Sequence, residues 1–153
     1  MTTFSASTHS VLTTAGWHPG RRVITLGYRL ALAVEGYPWF AAVEQFLQAF
    51  GGLQVSCTEA GSNDTFHFHA RKAAGDVDSS WVLQNYAQRL GNPTLCVIGQ
   101  AYANYLLLFM DDTGKVYGGY DDYLCILASS GEAAIEAICQ RQPVQEIPDL
   151  MDE

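Results

Sequence analysis

The chain has 153 residues, 48% of them hydrophobic, and a formal net charge of −8. That length suits one domain whose core needs no disulfide staples. No apolar run reaches the roughly 18 residues that cross a bilayer, and an anionic surface repels a phosphate backbone, so neither membrane nor nucleic acid is the expected partner. The charge is also uneven. Residues 1–100 carry six acids and six Lys/Arg, whereas residues 101–153 carry ten acids against Lys115 and Arg141. All of the excess lies in the last third.

In chain order, Val11, Leu12 and Ala15 mark a short helix stopped by Gly16. Thr25 is placed to cap a second helix, with Leu26, Leu30 and Val34 spaced four apart and Gly36 as the stop. Pro38 suits the first turn of a third helix, in which Trp39, Ala42, Val43, Phe46, Leu47 and Phe50 follow the i, i+3, i+4 stripe of a buried face. Gly51-Gly52 ends it.

The period then falls to two. Leu53, Val55 and Cys57 alternate with polar residues as in a half-buried strand, residues 60–64 read as a loop, and Thr65 to His69 alternates again with Phe66 and Phe68 on one side. A helix is expected from Asp78 or Ser79 through Trp81, Val82, Tyr86 and Leu90 to Gly91. Thr94–Ile98 is a short apolar strand. Tyr105–Met110 and Lys115–Tyr120 flank Asp111-Asp112-Thr113-Gly114 as a hairpin, and Tyr123–Leu127 adds another strand. Ser129-x-x-Glu132 reads as a capping box opening a helix with Ala134, Ile135 and Ile138 inward. From Gln142 the chain is polar and acidic, and a frayed tail is expected. The pattern is α+β: a mainly antiparallel sheet of about five to six strands with about five helices, one domain over residues 1–153, its core at about 7–139 and its acidic tail at 142–153.

Four features recur in order: the corner Gly16-Trp17-x-Pro19-Gly20-Arg21, the helix end Phe50-Gly51-Gly52-Leu53, the strand end Ile98-Gly99, and Asp111-x-x-Gly114-x-Val116-Tyr117. Together they resemble the SUKH superfamily (Smi/Knr-like), specifically its third subfamily of bacterial immunity proteins. The resemblance runs from about Ser7 to about Cys139. It implies an α+β domain that binds and neutralises a cognate protein toxin without catalysis or cofactor. Most of the matching residues are structural, and Arg21 has no partner legible in the sequence. Family members often carry a proline after the second strand; here Phe68-His69-Ala70-Arg71 stands instead. The resemblance transfers no contact residues.

For the contact itself the sequence offers charge and aromatics. Asp111-Asp112 and Asp121-Asp122 fall at opposite ends of one strand, ~25–30 Å apart at strand rise, so they form no single cage. With Tyr120 and Tyr123 they make the candidate partner-binding set: Asp111, Asp112, Tyr120, Asp121, Asp122 and Tyr123. Such a surface would attract a basic toxin, for example a nuclease or a nucleic-acid deaminase. An alternative takes His67 and His69, two apart on a strand, as ligands of a small metal-dependent hydrolase, though zinc needs a third or fourth ligand; polar alternation on an exposed strand face is the plainer reading. A regulatory scaffold of the same superfamily is the other. The four cysteines (57, 96, 125 and 139) form no C-x-x-C pair, and the first six residues are neither basic nor apolar. Reduced thiols, buried as small hydrophobes, and a cytoplasmic location follow as expectations.

Overall fold

The computed structural model describes residues 4–57 and 65–148. The first helix, α1 (Ala6–Thr14), is capped by the Ser5 side chain, which accepts from the Thr8 N–H. It ends where Gly16 takes φ +108°. There the Trp17 N–H donates to Leu12 C=O and the Gly16 N–H to Thr13 C=O, the paired 6→1 and 5→2 bonds of a Schellman stop. Helix α2 (Leu26–Val34) ends the same way through Gly36 and Tyr37. Helix α3 (Ala41–Phe50) buries Val43, Phe46, Leu47 and Phe50, as its stripe predicts, but Pro38 lies before the helix, whose N-cap is the extended Phe40.

Trp17 joins these pieces. Its ring stacks on Phe50 (6.1 Å, 8° between planes) and meets Phe4 and His9 edge-on. Pro19 and Gly20 (φ +81°) make a turn closed by the Arg21 N–H on His18 C=O. The turn aims the Arg21 guanidinium at the end of α3, where it donates to Ala49 C=O (2.8 Å) and Gly51 C=O (2.9 Å). This cation supplies the carbonyls that a helix C-terminus leaves without partners.

Seven antiparallel strands follow in a meander whose spatial order equals chain order: β1 (Gln54–Ser56), β2 (Thr65–His67), β3 (Leu95–Ala101), β4 (Leu106–Asp111), β5 (Val116–Tyr120), β6 (Tyr123–Ala128) and β7 (Gln145–Glu146). The first six coincide with the expected strands; the loop at 60–64 lies outside the described residues. Strands β3 and β4 are buried on both faces, which explains their continuous apolar runs. Phe46 of α3 and helix α6 (Gly131–Cys139) meet Met110 on one face, and Tyr86 meets Phe109 on the other. Gly99 marks a bulge between β3 and β4 where a Cβ would fall 2.0 Å from His67 C=O, so β2 can approach only because the side chain is missing.

Four local expectations give way to tertiary structure. A short helix, α4 (Ala70–Gly75), occupies the stretch of departure at Ala70-Arg71; Ala70, Ala73 and Ala74 are small enough to let it lie against β3. The helix after Asp78 is a π-helical segment (Trp81–Tyr86) running into a short α5 (Ala87–Arg89). Ser130, not Ser129, caps α6, accepting from the Ala133 N–H at 3.1 Å, so Glu132 is out of capping-box register. Finally, the tail is docked as far as residue 148. Residues 145–146 pair with β6, and Arg89 donates to the carbonyls of Ile147 and Pro148.

Helix α2 departs most from its stripe. Leu26 and Leu30 are each 59% exposed and Val34 86%, with Ile24 beside them at 89%; the buried residue is Leu32. The four-residue spacing is real, but the face it defines points to solvent. Thr25 makes no side-chain cap there.

Candidate functional site

The last third's acids do not act as one surface. The Asp111 carboxylate is 5% exposed and holds its own turn, accepting from the Thr113 and Lys115 N–H groups and from the Thr113 and Tyr117 hydroxyls. Burial pushes its pKa up, but these donors outweigh burial and keep the group below the usual carboxylate range. Gly114 completes the turn at φ +91°. Glu136 on α6 reaches back to the start of α1, accepting from Ser5 and Thr8. It acts as a second N-terminal cap, held below its ordinary pKa by those donors against an opposing burial effect. Asp112 stays exposed at the β4–β5 turn, one strand away from Asp121 and Asp122. Five residues of β5 span about 17 Å at strand rise, less than the sequence-based figure because the turns themselves take up the flanking residues.

Asp121 and Asp122 are joined instead by two acids from far earlier in the chain. A groove of about 730 Å³ is lined by Asp76 and Asp78 after α4, Trp81 and Tyr86 of the π-helical segment, Gln100 of β3, Tyr105, and Tyr120–Asp122. Trp81, Tyr105 and Tyr120 are 39%, 68% and 50% exposed. Tyr105 and Tyr120 pair edge-on at 6.3 Å and form the wall to a neighbouring groove of about 620 Å³ that includes Tyr102, Tyr123 and Val144. Asp76 accepts from the Gln100 amide (3.0 Å) and Asp78 from Ser80. Neutral donors thus fix both carboxylates without cancelling their charge, and the Ser80 bonds hold Asp78 below its ordinary pKa.

The backbone around this groove is set by unusual means. Trp81 Nε1–H and Tyr86 O–H both donate to the Asp121 carbonyl. These two hydrogen bonds hold Asp121 at φ +50°, a left-handed conformation that costs a non-glycine residue of order 1 kcal/mol or more. The wide π turn lets side chains five apart reach one acceptor. Gly119 is the other requirement: a Cβ there would lie 2.7 Å from the Tyr86 ring. Opposite, Tyr102, Ala103 and Asn104 are three consecutive left-handed residues linking β3 to β4, pinned by Ala103 N–H to Thr65 C=O and by Gln100 to Asn104 C=O.

His67 and His69 do not form an exposed pair. His67 is 3% exposed; its Nδ1 accepts the His69 N–H (3.0 Å), so Nε2–H donates to Gln100 Oε1 (2.8 Å). Both ring nitrogens are occupied, and burial depresses the pKa below 6.5 despite the Gln100 bond. His67 therefore orients Gln100, which orients Asp76. Among the described residues no group of three His, Cys, Asp or Glu is arranged to hold a metal, and no helix is long and apolar enough to cross a membrane.

Of the six residues put forward from sequence, Tyr120, Asp121 and Asp122 line the groove and Tyr123 the neighbouring one; Asp111 and Asp112 sit at the far end of β5. The sequence reading passed over Asp76, Asp78, Tyr86 and Gln100 as site residues. The signal Asp76-x-Asp78-x-x-Trp81 was present, but nothing local ties it to a turn some 40 residues later.

Residues 4–141, nearly the whole chain, match the family described as SUKH-3 immunity protein. No curated protein and no solved structure matches the chain.

Proposed function

The chain belongs to the SUKH-3 immunity protein family, and on that premise we propose that it binds one cognate bacterial toxin in the cytosol and blocks it stoichiometrically, without catalysis or cofactor. The contact we assign is the groove between the π-helical segment and the β5–β6 turn. One observation carries this choice: exposed aromatic side chains and exposed carboxylates converge there from three separate segments of the chain. Aromatic anchors beside acids supply desolvated contact area together with attraction for Lys and Arg, including cation–π contacts on Trp81, Tyr105 and Tyr120. The complementary partner surface is basic. Carboxylates at the rim steer encounter, and the rings set residence time.

The test is stopped-flow association with the cognate toxin domain once co-purification has identified it. Asp121→Lys with Asp122→Lys should slow association at least ~10-fold at low salt, with the gap closing as salt screens the charges. Trp81→Ala should raise the off-rate instead. Unchanged rates in both variants would place the contact elsewhere. The aliphatic strip Leu26, Leu30 and Val34 on α2, with Ile24 just before it, is then the second reading, since exposed apolar side chains grouped on one helix face are themselves a contact signal.

A further inference from the structure

Four cysteines are present, and two of them differ from the others. Cys96 and Cys125 are 0% and 1% exposed inside the sheet, where burial raises both thiols. Cys57, just after β1, and Cys139, the last residue of α6, are half-buried, and their sulfurs lie 3.5 Å apart across 82 residues of chain. We infer that Cys57 and Cys139 are an oxidisable dithiol, a modification site that a peroxide converts to an intramolecular disulfide.

The hydrogen bond between the two sulfurs holds the Cys139 thiol below its ordinary pKa and pushes Cys57 up. Cys139 is thus the thiolate nucleophile and Cys57 the resolving thiol. The Cys139 thiolate attacks one peroxide oxygen, the O–O bond breaks, and hydroxide leaves, giving a sulfenic acid. Cys57 sulfur then attacks the sulfenic sulfur; water leaves with the Cys57 proton, and the S–S bond forms. Two thiols lose two electrons and two protons, and one peroxide becomes two waters. The bond needs the sulfurs to close by about 1.5 Å, to the ~2.05 Å of a disulfide.

The product would clip the end of β1 to the end of α6 beside α1, which contacts both. A cross-link closing so long a loop restricts the unfolded chain strongly, so oxidation should raise the melting temperature by several degrees. Neither cysteine lines the proposed contact groove, and the inference does not depend on it.

The experiment treats the full chain with a small molar excess of hydrogen peroxide and follows thiol count, intact mass, peptide mapping and melting temperature. The expected result is loss of two thiols together, a mass lower by two hydrogens, a Cys57–Cys139 cross-linked peptide, and a higher melting temperature reversed by dithiothreitol. Cys57→Ser should convert the product to a Cys139 sulfenic acid trappable with dimedone, and Cys139→Ser should leave Cys57 unreacted on that timescale. Because both replacements are small and the wild-type peptide map stands alone, poor folding of a variant does not hide the answer. Oxidation of Cys96 or Cys125 at equal rate, stepwise sulfinic acid on Cys139 with no cross-link, or a covalent dimer would each overturn the inference.

Discussion

Gly119→Ala tests how the groove is built. The added Cβ would sit 2.7 and 2.8 Å from two Tyr86 ring carbons and 3.0 Å from Phe109. Ordinary carbon contacts are about 3.5–4.0 Å, so the Tyr86 ring must retreat by about 1 Å. Tyr86 is fully buried, and its hydroxyl is bonded to Asp121 C=O, so retreat breaks that bond. Overpacking costs about 1–3 kcal/mol and the lost hydrogen bond about 1 kcal/mol. The stiffer unfolded chain returns about 0.4–1 kcal/mol, since Gly119 is not in the left-handed region. The net loss is about 2 kcal/mol, or a melting temperature lower by about 4–8 °C for a chain of this size. Urea denaturation of Gly119→Ala, Tyr86→Phe and the double variant reads it as a cycle. If the clash has already broken the hydroxyl bond, Tyr86→Phe costs about 1 kcal/mol in the wild type and little in the Gly119→Ala background. A Gly119→Ala protein as stable as the wild type, or strict additivity, would refute the reasoning.

Arg21→Ala should cost about 2 kcal/mol, from two charge-assisted bonds discounted for partial exposure, and Arg21→Lys should recover less than half, because an ammonium cannot span both carbonyls; thermal melts check both. His67 predicts a pH effect. Its folded pKa lies below 6.5, so between that value and 6.5 the unfolded chain binds more protons; the contribution is complete above 6.5 and is lost as pH falls through the window. Urea midpoints from about pH 7.5 to about pH 5 should fall in the wild type and flatten in His67→Gln. Leu30→Asp and Val34→Asp should change stability by no more than about 0.5 kcal/mol, because both side chains are exposed; a large loss in denaturation would mean that α2 packs its aliphatic face after all.

Much of the fold was legible because its signals are local. Gly16, Gly36 and Gly52 mark helix or turn stops that require positive φ, Pro19-Gly20 dictates a turn, and the Asp111–Gly114 turn joins two apolar runs into a hairpin. The α3 stripe reads correctly because it is long and one-sided. On α2 the same spacing marks a face that points to solvent. Periodicity reports that a helix has an apolar face, not what covers it, and on α2 the buried anchor is Leu32 alone. Helix α4 is not legible because six residues, half of them alanine, carry no strong period.

Sequence by itself determined the hairpin of β4 and β5, the helix stops, and the family pattern, since each depends on neighbours a few residues apart. Only the folded chain could decide which acids stand together. Asp111 holds its own turn and Glu136 caps α1, while Asp76 and Asp78 share a groove with Asp121 and Asp122. The physical reason is that a carboxylate's role follows from what surrounds it in space: Asp76 and Glu136 take donors 24 and 128–131 residues away, and the two pairs of acids that share the groove lie more than 40 residues apart in the chain.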